Sequence, residues 1–206
     1  MSFYDKYILP SFLNCACGSK PIKYQRGKVV PMAEGVVLEV GIGSGLNIPY
    51  YDSTKVSSII GLDPSAELNN MAKKVAADEG FEVDFILSGA ESIPLPDNHV
   101  DTVLITYTLC TIPDALSANK EMRRVLKPGG KMIFCEHGLA PDAGVAKWQA
   151  RIDPYWEKIA GGCHLNRNIP QLIQDAGFTI QSMEQMYLPS TPKFAGYNYW
   201  GVATGS

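Results

Sequence analysis

Short apolar runs alternate with stretches of helical periodicity over residues 35–136. The first run, 35–40, is rich in β-branched residues and leads into a glycine-rich segment, 41–45, which predicts a buried strand followed by a tight turn. Similar runs predict strands at 57–62, 81–87, 101–106 and 131–136. Helices are predicted over 114–126 and after the second strand, where apolar residues recur at spacings of three and four: Leu68, Met71, Ala72, Val75 and Ala76. This alternation predicts an α/β fold with a doubly wound, mostly parallel sheet.

The pattern changes after residue 137. Residues 138–170 are rich in aromatic residues and glycine and show no clear period. A short helix is predicted over 169–176, and two further strands over 178–186 and 197–204. We expect these two strands to form a hairpin at the sheet edge, which makes seven strands with an antiparallel last strand.

Length and composition narrow the class of protein. The 206 residues correspond to one domain, and 18 Lys and Arg against 21 Asp and Glu give a net charge of −3, which argues against a nucleic-acid partner. The five cysteines form no regular framework, and we see neither a signal peptide nor an apolar run long enough to span a bilayer. We therefore expect a cytoplasmic protein.

The glycine-rich turn and a following acidic residue form a candidate nucleoside site. Asp63 ends the second predicted strand, 22 residues after Gly41, where a carboxylate can accept hydrogen bonds from both ribose hydroxyls. A dinucleotide fingerprint requires its third glycine at position 46, but that position is Leu46 and the glycine is Gly45. Acidic Glu39 suits an amine-bearing, cationic ligand better than a pyrophosphate. A nicotinamide-dependent reductase is therefore disfavoured.

Five stretches resemble, in order, the successive motifs of class I S-adenosylmethionine-dependent methyltransferases: Glu39–Gly45, Leu62–Ser65, Gly89–Glu91, Asp101–Val103 and Arg124–Gly130. The resemblance covers roughly residues 35–136 and implies a Rossmann-like fold, with S-adenosylmethionine as cofactor and S-adenosylhomocysteine as product. It implies that Asp63 holds the ribose. The cofactor-binding residues that it implies are Glu39, Gly41, Ile42, Gly43, Asn47, Asp63, Pro64, Ser65, Gly89, Ala90, Glu91, Thr106, Tyr107 and Leu109.

A narrower resemblance extends beyond the cofactor half. Residues 136–167 resemble the methyltransferase-like seven family, whose animal members methylate small thiols, while 43–50 is similar to bacterial phospholipid N-methyltransferases and to quinone-pathway enzymes. This resemblance places six residues on the substrate side: Trp148, Asp153, Trp156, Cys163, His164 and Arg167.

The roles of the substrate-side residues stay open at this stage. His137 follows the fifth strand and is either a general base or a residue that orients its loop. Arg167 either binds a carboxylate or phosphate or forms a surface salt bridge. Trp148, Tyr155 and Trp156 line an apolar acceptor pocket or belong to the core.

We therefore expect one methyltransferase domain over 1–206, divided into an N-terminal lid segment (1–34), a cofactor-binding half (35–136) and a substrate insert with the last strands (137–206). The predicted acceptor is a small apolar or amphipathic molecule, possibly a thiol. The alternatives are phosphatidylethanolamine and a non-catalytic cofactor-binding protein. The segment Phe3–Pro10 is a packed helix, a lid or a peripheral membrane contact. No metal is expected, because Cys15-x-Cys17 lacks the usual zinc spacing.

Overall fold

A computed structural model describes residues 17–205. Seven strands form one sheet in the order β3-β2-β1-β4-β5-β7-β6. The strands are β1 Gly35–Val40, β2 Val56–Leu62, β3 Val83–Ile86, β4 Val100–Thr106, β5 Leu126–His137, β6 Phe178–Tyr187 and β7 Tyr197–Gly205. The first five pair in parallel, and β7 runs antiparallel to both β5 and β6. The predicted α/β sheet with its antiparallel last strand is confirmed.

Helices cover both faces of the sheet. They are α1 Lys20–Val29, α2 Ala66–Glu79, α3 Ala115–Val125, α4 Ala143–Ile159, α5 Ile169–Asp175 and α6 Lys193–Gly196, with 3₁₀ turns at Val30–Met32 and Ile48–Tyr50. Alternate residues of β4 point to opposite faces, so Val103 packs in the same cluster as α3 and α5, whereas Leu104 packs with the end of α1.

Local capping sets the ends of two predicted helices. The Ser65 hydroxyl accepts a hydrogen bond from the Leu68 amide at the start of α2, and Gly80 ends that helix in the left-handed conformation. The Asp114 carboxylate likewise accepts from the Ser117 amide at the start of α3. Ser65 also donates its amide to Asp63, and the Asp114 amide approaches the Glu91 carboxylate.

The largest difference from the sequence prediction is α4, a helix of 17 residues inside the region without a clear period. Its buried residues are the polar Gln149 and Asp153, one helical turn apart, and Pro154 lies within it. Hydrophobic periodicity misses this helix because its two buried positions are polar, while the apolar Trp148 and Tyr155 are exposed. Two smaller differences concern strands. β3 is shorter than predicted, and β5 begins at Leu126, five residues before the strand predicted over 131–136.

The candidate site lies where the parallel strands of the sheet end, along the edge formed by their carboxyl ends. The direction of the connections reverses between β1 and β4, and ligands of open α/β sheets bind at the carboxyl ends of strands at such a point. Among residues 17–205, no helix is long and apolar enough to cross a membrane. The segment Phe3–Pro10, for which a lid or membrane contact was predicted, lies outside the described residues.

Candidate active site

The turn after β1 brings bare backbone to the switch point. Gly41 has φ +73°, and a Cβ at this position would overlap the Thr108 side chain, so only glycine fits between the turn and the loop after β4. The amides of Gly41 and Ile42 both donate to the Leu62 carbonyl, at 2.7 and 3.2 Å. Gly43 also has a positive φ, and the space beside it is open. A ligand can therefore approach the backbone of the turn at Gly43.

Asp63 connects this turn to the end of β2. Its Oδ2 accepts a hydrogen bond from the Gly43 amide at 3.0 Å, and its Oδ1 accepts from the Ser65 amide at 2.8 Å. Burial raises the pKa of the Asp63 carboxyl, although both amide hydrogen bonds oppose that shift. Pro64 lies between Asp63 and the capping residue Ser65. The hydrogen bond from the Gly43 amide keeps the Asp63 carboxylate beside the glycine turn.

A buried polar network lies beneath the turn. Asn47 Nδ2 donates to Glu39 Oε1 at 2.8 Å, and the Tyr51 hydroxyl donates to Glu39 Oε2 at 2.6 Å. Arg26 Nη1 donates to both Asn47 Oδ1 and Thr106 Oγ1, each at 2.6 Å. Burial raises the pKa of the Glu39 carboxyl to about 7, because desolvation outweighs the hydrogen bonds from Tyr51 and Asn47. Three predicted cofactor residues, Glu39, Asn47 and Thr106, thus belong to one network.

Arg26 is the member of this network that sequence reasoning missed. It lies on α1, is 5% exposed, and its guanidinium carbon is 5.3 Å from the centre of the Tyr107 ring. Its Nε has no hydrogen-bond partner within residues 17–205. Arg26 is the arginine of α1, whose other basic residues are lysines, but the local sequence does not report its burial, because that burial depends on contacts with Asn47 and Thr106, much later in the chain.

The segment expected near the adenine lies between β3 and β4. Ala90 is buried, and Glu91 is half-buried, with its Oε1 accepting from the Asp114 amide at 3.5 Å. The Glu91 carboxylate also lies close to Gly89. Glu91 thus connects this segment to the start of α3, close to the edge that carries Asp63.

The loop after β4 is held by β5 and β7. Tyr107 has φ +55°, a conformation that bulky residues rarely adopt, and its hydroxyl donates to Asn198 Oδ1 at 2.6 Å. The amides of Thr108 and Leu109 donate to Glu136 Oε1 at 2.8 and 3.2 Å. Burial raises the pKa of Glu136 to about 7. A buried carboxyl therefore shapes the loop that faces the glycine turn.

The predicted catalytic residue, His137, contacts a cysteine. Its Nε2 is 3.3 Å from Cys163 Sγ, and its Nδ1 has no hydrogen-bond partner among the residues that the structure describes. Cys110 Sγ lies in the same group of donor atoms. A hydrogen bond from Cys110 and the neighbouring His137 lower the pKa of the Cys163 thiol. Sequence reasoning placed His137 and Cys163 on the substrate side but missed Cys110.

Buried side chains hold the segment after α4. Asp153 Oδ1 accepts from the Leu165 amide at 2.6 Å, and Asp153 Oδ2 lies 2.9 Å from His164 Nδ1. Arg167 Nη1 donates to the carbonyls of Leu109 and Ile112, so part of its guanidinium supports the loop after β4. Arg167 also borders an open cleft of about 380 Å³ between α3 and α5.

The structure does not bring the three predicted aromatic residues together. Trp148 and Tyr155 are 61% and 73% exposed on α4. Trp156 instead packs against Cys110, Ala160 and Cys163. Of the three, only Trp156 therefore contacts the group that contains His137.

Comparisons with known proteins identify methyltransferases as similar proteins. A family model described as a methyltransferase domain matches residues 38–134. The thiol S-methyltransferase TMT1B of Rattus norvegicus is 32% identical over 173 residues, which covers 79% of this chain and 70% of the relative. The phosphatidylethanolamine N-methyltransferase of Cereibacter sphaeroides is 32% identical over 124 residues, which covers 58% of this chain and 60% of the relative. A solved geranyl diphosphate methyltransferase in complex with the cofactor superposes with a TM-score of 0.71 at 13% identity, over 89% of this chain and 85% of that one.

Proposed function

The chain belongs to the class I S-adenosylmethionine-dependent methyltransferases, and we propose that it methylates the sulfur of a small apolar or amphipathic thiol. The similarity to the rat thiol S-methyltransferase carries this proposal. It extends over 79% of the chain, whereas the similarity to the phosphatidylethanolamine enzyme extends over 58%. The longer match includes more of the chain outside the cofactor motifs, and we expect the acceptor to be selected there.

The residues at the switch point fit S-adenosylmethionine. The backbone at Gly43 is open to a ligand, and the Asp63 carboxylate beside it suits the two ribose hydroxyls. The buried guanidinium of Arg26, with an unpartnered Nε within residues 17–205, suits the carboxylate of the methionine moiety. When bound, the cofactor supplies a methyl group already activated by its sulfonium. The protein's own contribution is mainly to position the two reactants, which is worth up to about 7–11 kcal/mol in favourable cases.

A thiol acceptor places a modest demand on acid–base chemistry. The thiolate is the nucleophile, and a free thiol with a pKa of about 8.5 is partly ionised near neutral pH. The general-base role predicted for His137 requires an acceptor within hydrogen-bond distance, and its Nε2 already faces Cys163 at 3.3 Å. The base role of His137 therefore stays a prediction, whereas positioning by Asp63 and the glycine turn is the contribution that the described contacts support.

An acceptor panel tests the proposed function. The purified protein is incubated with S-adenosylmethionine and a series of small thiols, each paired with the alcohol of the same carbon skeleton, and S-adenosylhomocysteine is measured. We expect product with thiols and none with the matched alcohols. Asp63→Ala serves as the control for turnover that depends on the site.

Two other outcomes would overturn the thiol assignment. Turnover with phosphatidylethanolamine vesicles, together with no turnover on any thiol of the panel, would favour the N-methyltransferase hypothesis, which the Cereibacter sphaeroides relative supports. Cofactor binding by calorimetry with no turnover on any acceptor would favour the non-catalytic binding protein.

A further inference from the structure

Three soft donor atoms converge beside the proposed cofactor site. Cys110 Sγ, a ring nitrogen of His137 and Cys163 Sγ all lie within 4.8 Å of one another, and we name this group the Cys-His-Cys cluster. The members come from three places: the loop after β4, the last residue of β5 and the segment after α4. Their sequence spacings of 26 and 27 residues match no zinc-finger pattern, which is why the sequence alone predicted no metal.

The two cysteines of the cluster are buried, and His137 is half-buried. Cys110 is 3% exposed and Cys163 is 7% exposed, and Ala160 and Trp156 pack against them. His137 Nε2 is the ring nitrogen that faces Cys163 Sγ, at 3.3 Å. Buried polar groups are costly unless they are paired, so three donor atoms grouped within 4.8 Å of one another favour a bound cation.

We propose that Cys110, His137 and Cys163 bind one thiophilic divalent cation of the zinc type. Two thiolates and a neutral imidazole are a ligand set that Zn²⁺ prefers, and they are softer than the oxygen ligands that Mg²⁺ and Ca²⁺ require. Two thiolates also cancel the charge of a divalent ion, so the occupied cluster is neutral and suits its buried position. A monovalent copper ion would leave a net negative charge beside the buried Glu136 carboxyl.

Metal binding releases protons and transfers no electrons. Each thiol that is still protonated gives its proton to solvent when its sulfur–metal bond forms, and no electron is transferred. His137 coordinates through Nε2, which leaves the proton on Nδ1. Three protein ligands leave the fourth position of a tetrahedral ion for a small molecule. Metal binding occupies the His137 nitrogen that a general base would use, so this proposal and the predicted base role exclude each other. The proposal does not depend on the identity of the acceptor.

Metal titration of the reduced protein tests the cluster. The protein, purified with a phosphine reductant and stripped of metal, is titrated with Zn²⁺ alone and, in parallel, with Co²⁺ as a spectroscopic probe. We expect one ion per chain and a thiolate-to-cobalt charge-transfer band. Cys110→Ser and Cys163→Ser should each lose the band and at least about tenfold in Zn²⁺ affinity.

Cys135→Ser is the matched control. Cys135 is equally buried and precedes His137 on β5 by two residues, but it is not part of the cluster. Its replacement should leave one Zn²⁺ per chain. Circular dichroism and calorimetric binding of S-adenosylmethionine show which variants remain folded. X-ray absorption at the zinc edge of the unaltered protein needs no variant and should show two sulfur ligands with nitrogen.

Several results would overturn the proposal. These are no Zn²⁺ or Co²⁺ binding by the reduced protein, binding that Cys163→Ser retains in full, or an absorption spectrum without sulfur ligands. A Cys110–Cys163 disulfide detected by mass spectrometry in protein prepared without reductant, together with no metal binding after reduction, would assign the pair to redox chemistry instead.

Discussion

Two regions of this molecule are built by different means: the proposed cofactor edge, residues 39–68, and the proposed acceptor side, residues 137–167. At the cofactor edge, the glycine turn, Asp63 and the cap of α2 follow one another within 28 residues, and neighbouring segments hold each group. On the acceptor side, single buried side chains join segments that are far apart in the chain. Gln149 alone contacts three separate segments. Motifs therefore specify the first region, except for Arg26, which reaches its network from α1. Individual long-range contacts specify the second region.

Gln149 gives the most severe test of this contrast. Its Oε1 accepts from the Ala140 amide, and its Nε2, which carries two hydrogens, lies within hydrogen-bond distance of the carbonyl oxygens of Gly138, Leu165 and Phe194. Gln149→Leu leaves these four groups unpaired, and we expect a loss of about 4 kcal/mol in the free energy of unfolding, measured by urea denaturation. The exposed Gln174 on α5 is the matched control. A loss below about 1 kcal/mol for Gln149→Leu would show that the acceptor side does not depend on this residue.

Glu39 tests whether a buried carboxyl at the cofactor edge lowers the free energy of unfolding. The folded chain holds the Glu39 proton up to about pH 7, whereas an unperturbed glutamate releases it near 4.5, so this group makes folding less favourable as the pH rises between these values. Glu39→Gln carries no such proton. Its stability relative to the unaltered protein should rise by about 3 kcal/mol from pH 4.5 to pH 7 and then level off. A difference that stays flat with pH would refute the titration.

Asp63 tests the cofactor edge through binding. Asp63→Ala removes the carboxylate expected to accept from the ribose and frees the Gly43 amide. We expect S-adenosylmethionine to bind about 10- to 100-fold more weakly by calorimetry, as for the loss of charged hydrogen bonds. Asp84→Ala, on the exposed side of β3, should bind with unchanged affinity. Equal affinities of the two variants would contradict the ribose assignment.

Trp148 gives the smallest effect. It is 61% exposed on α4, and its only described ring contact is with the Arg151 guanidinium at 5.9 Å. Trp148→Ala should change the free energy of unfolding by less than about 0.5 kcal/mol and leave the KM for a thiol unchanged. Trp156→Ala, which removes the ring packed against Cys163, should affect both. A raised KM in Trp148→Ala would restore this residue to the acceptor pocket that the sequence suggested.

Sequence reasoning worked where one short segment determines its own structure. The run 35–40, the glycine turn and the acidic end of β2 are recognisable because strand, turn and cap are local properties. It failed for α4 because the two buried positions of that helix are polar. It missed Arg26 and Cys110 because their neighbours come from distant parts of the chain. Burial of a polar residue is a tertiary property, and no local pattern reports it.

The position of β7 has a consequence for how the chain acquires its structure. β7 lies between β5 and β6, so neither of those strands has its full set of sheet partners until residues 197–205 are available. The Tyr197 carbonyl also accepts from the Gly138 amide, and the Phe194 carbonyl accepts from Gln149. The five parallel strands that carry the cofactor edge can pair earlier, whereas the acceptor side depends on pairing between β5 and β7, whose paired residues lie 61–73 positions apart in the chain. During synthesis on the ribosome, the ability to hold the methyl donor should therefore precede the ability to select an acceptor.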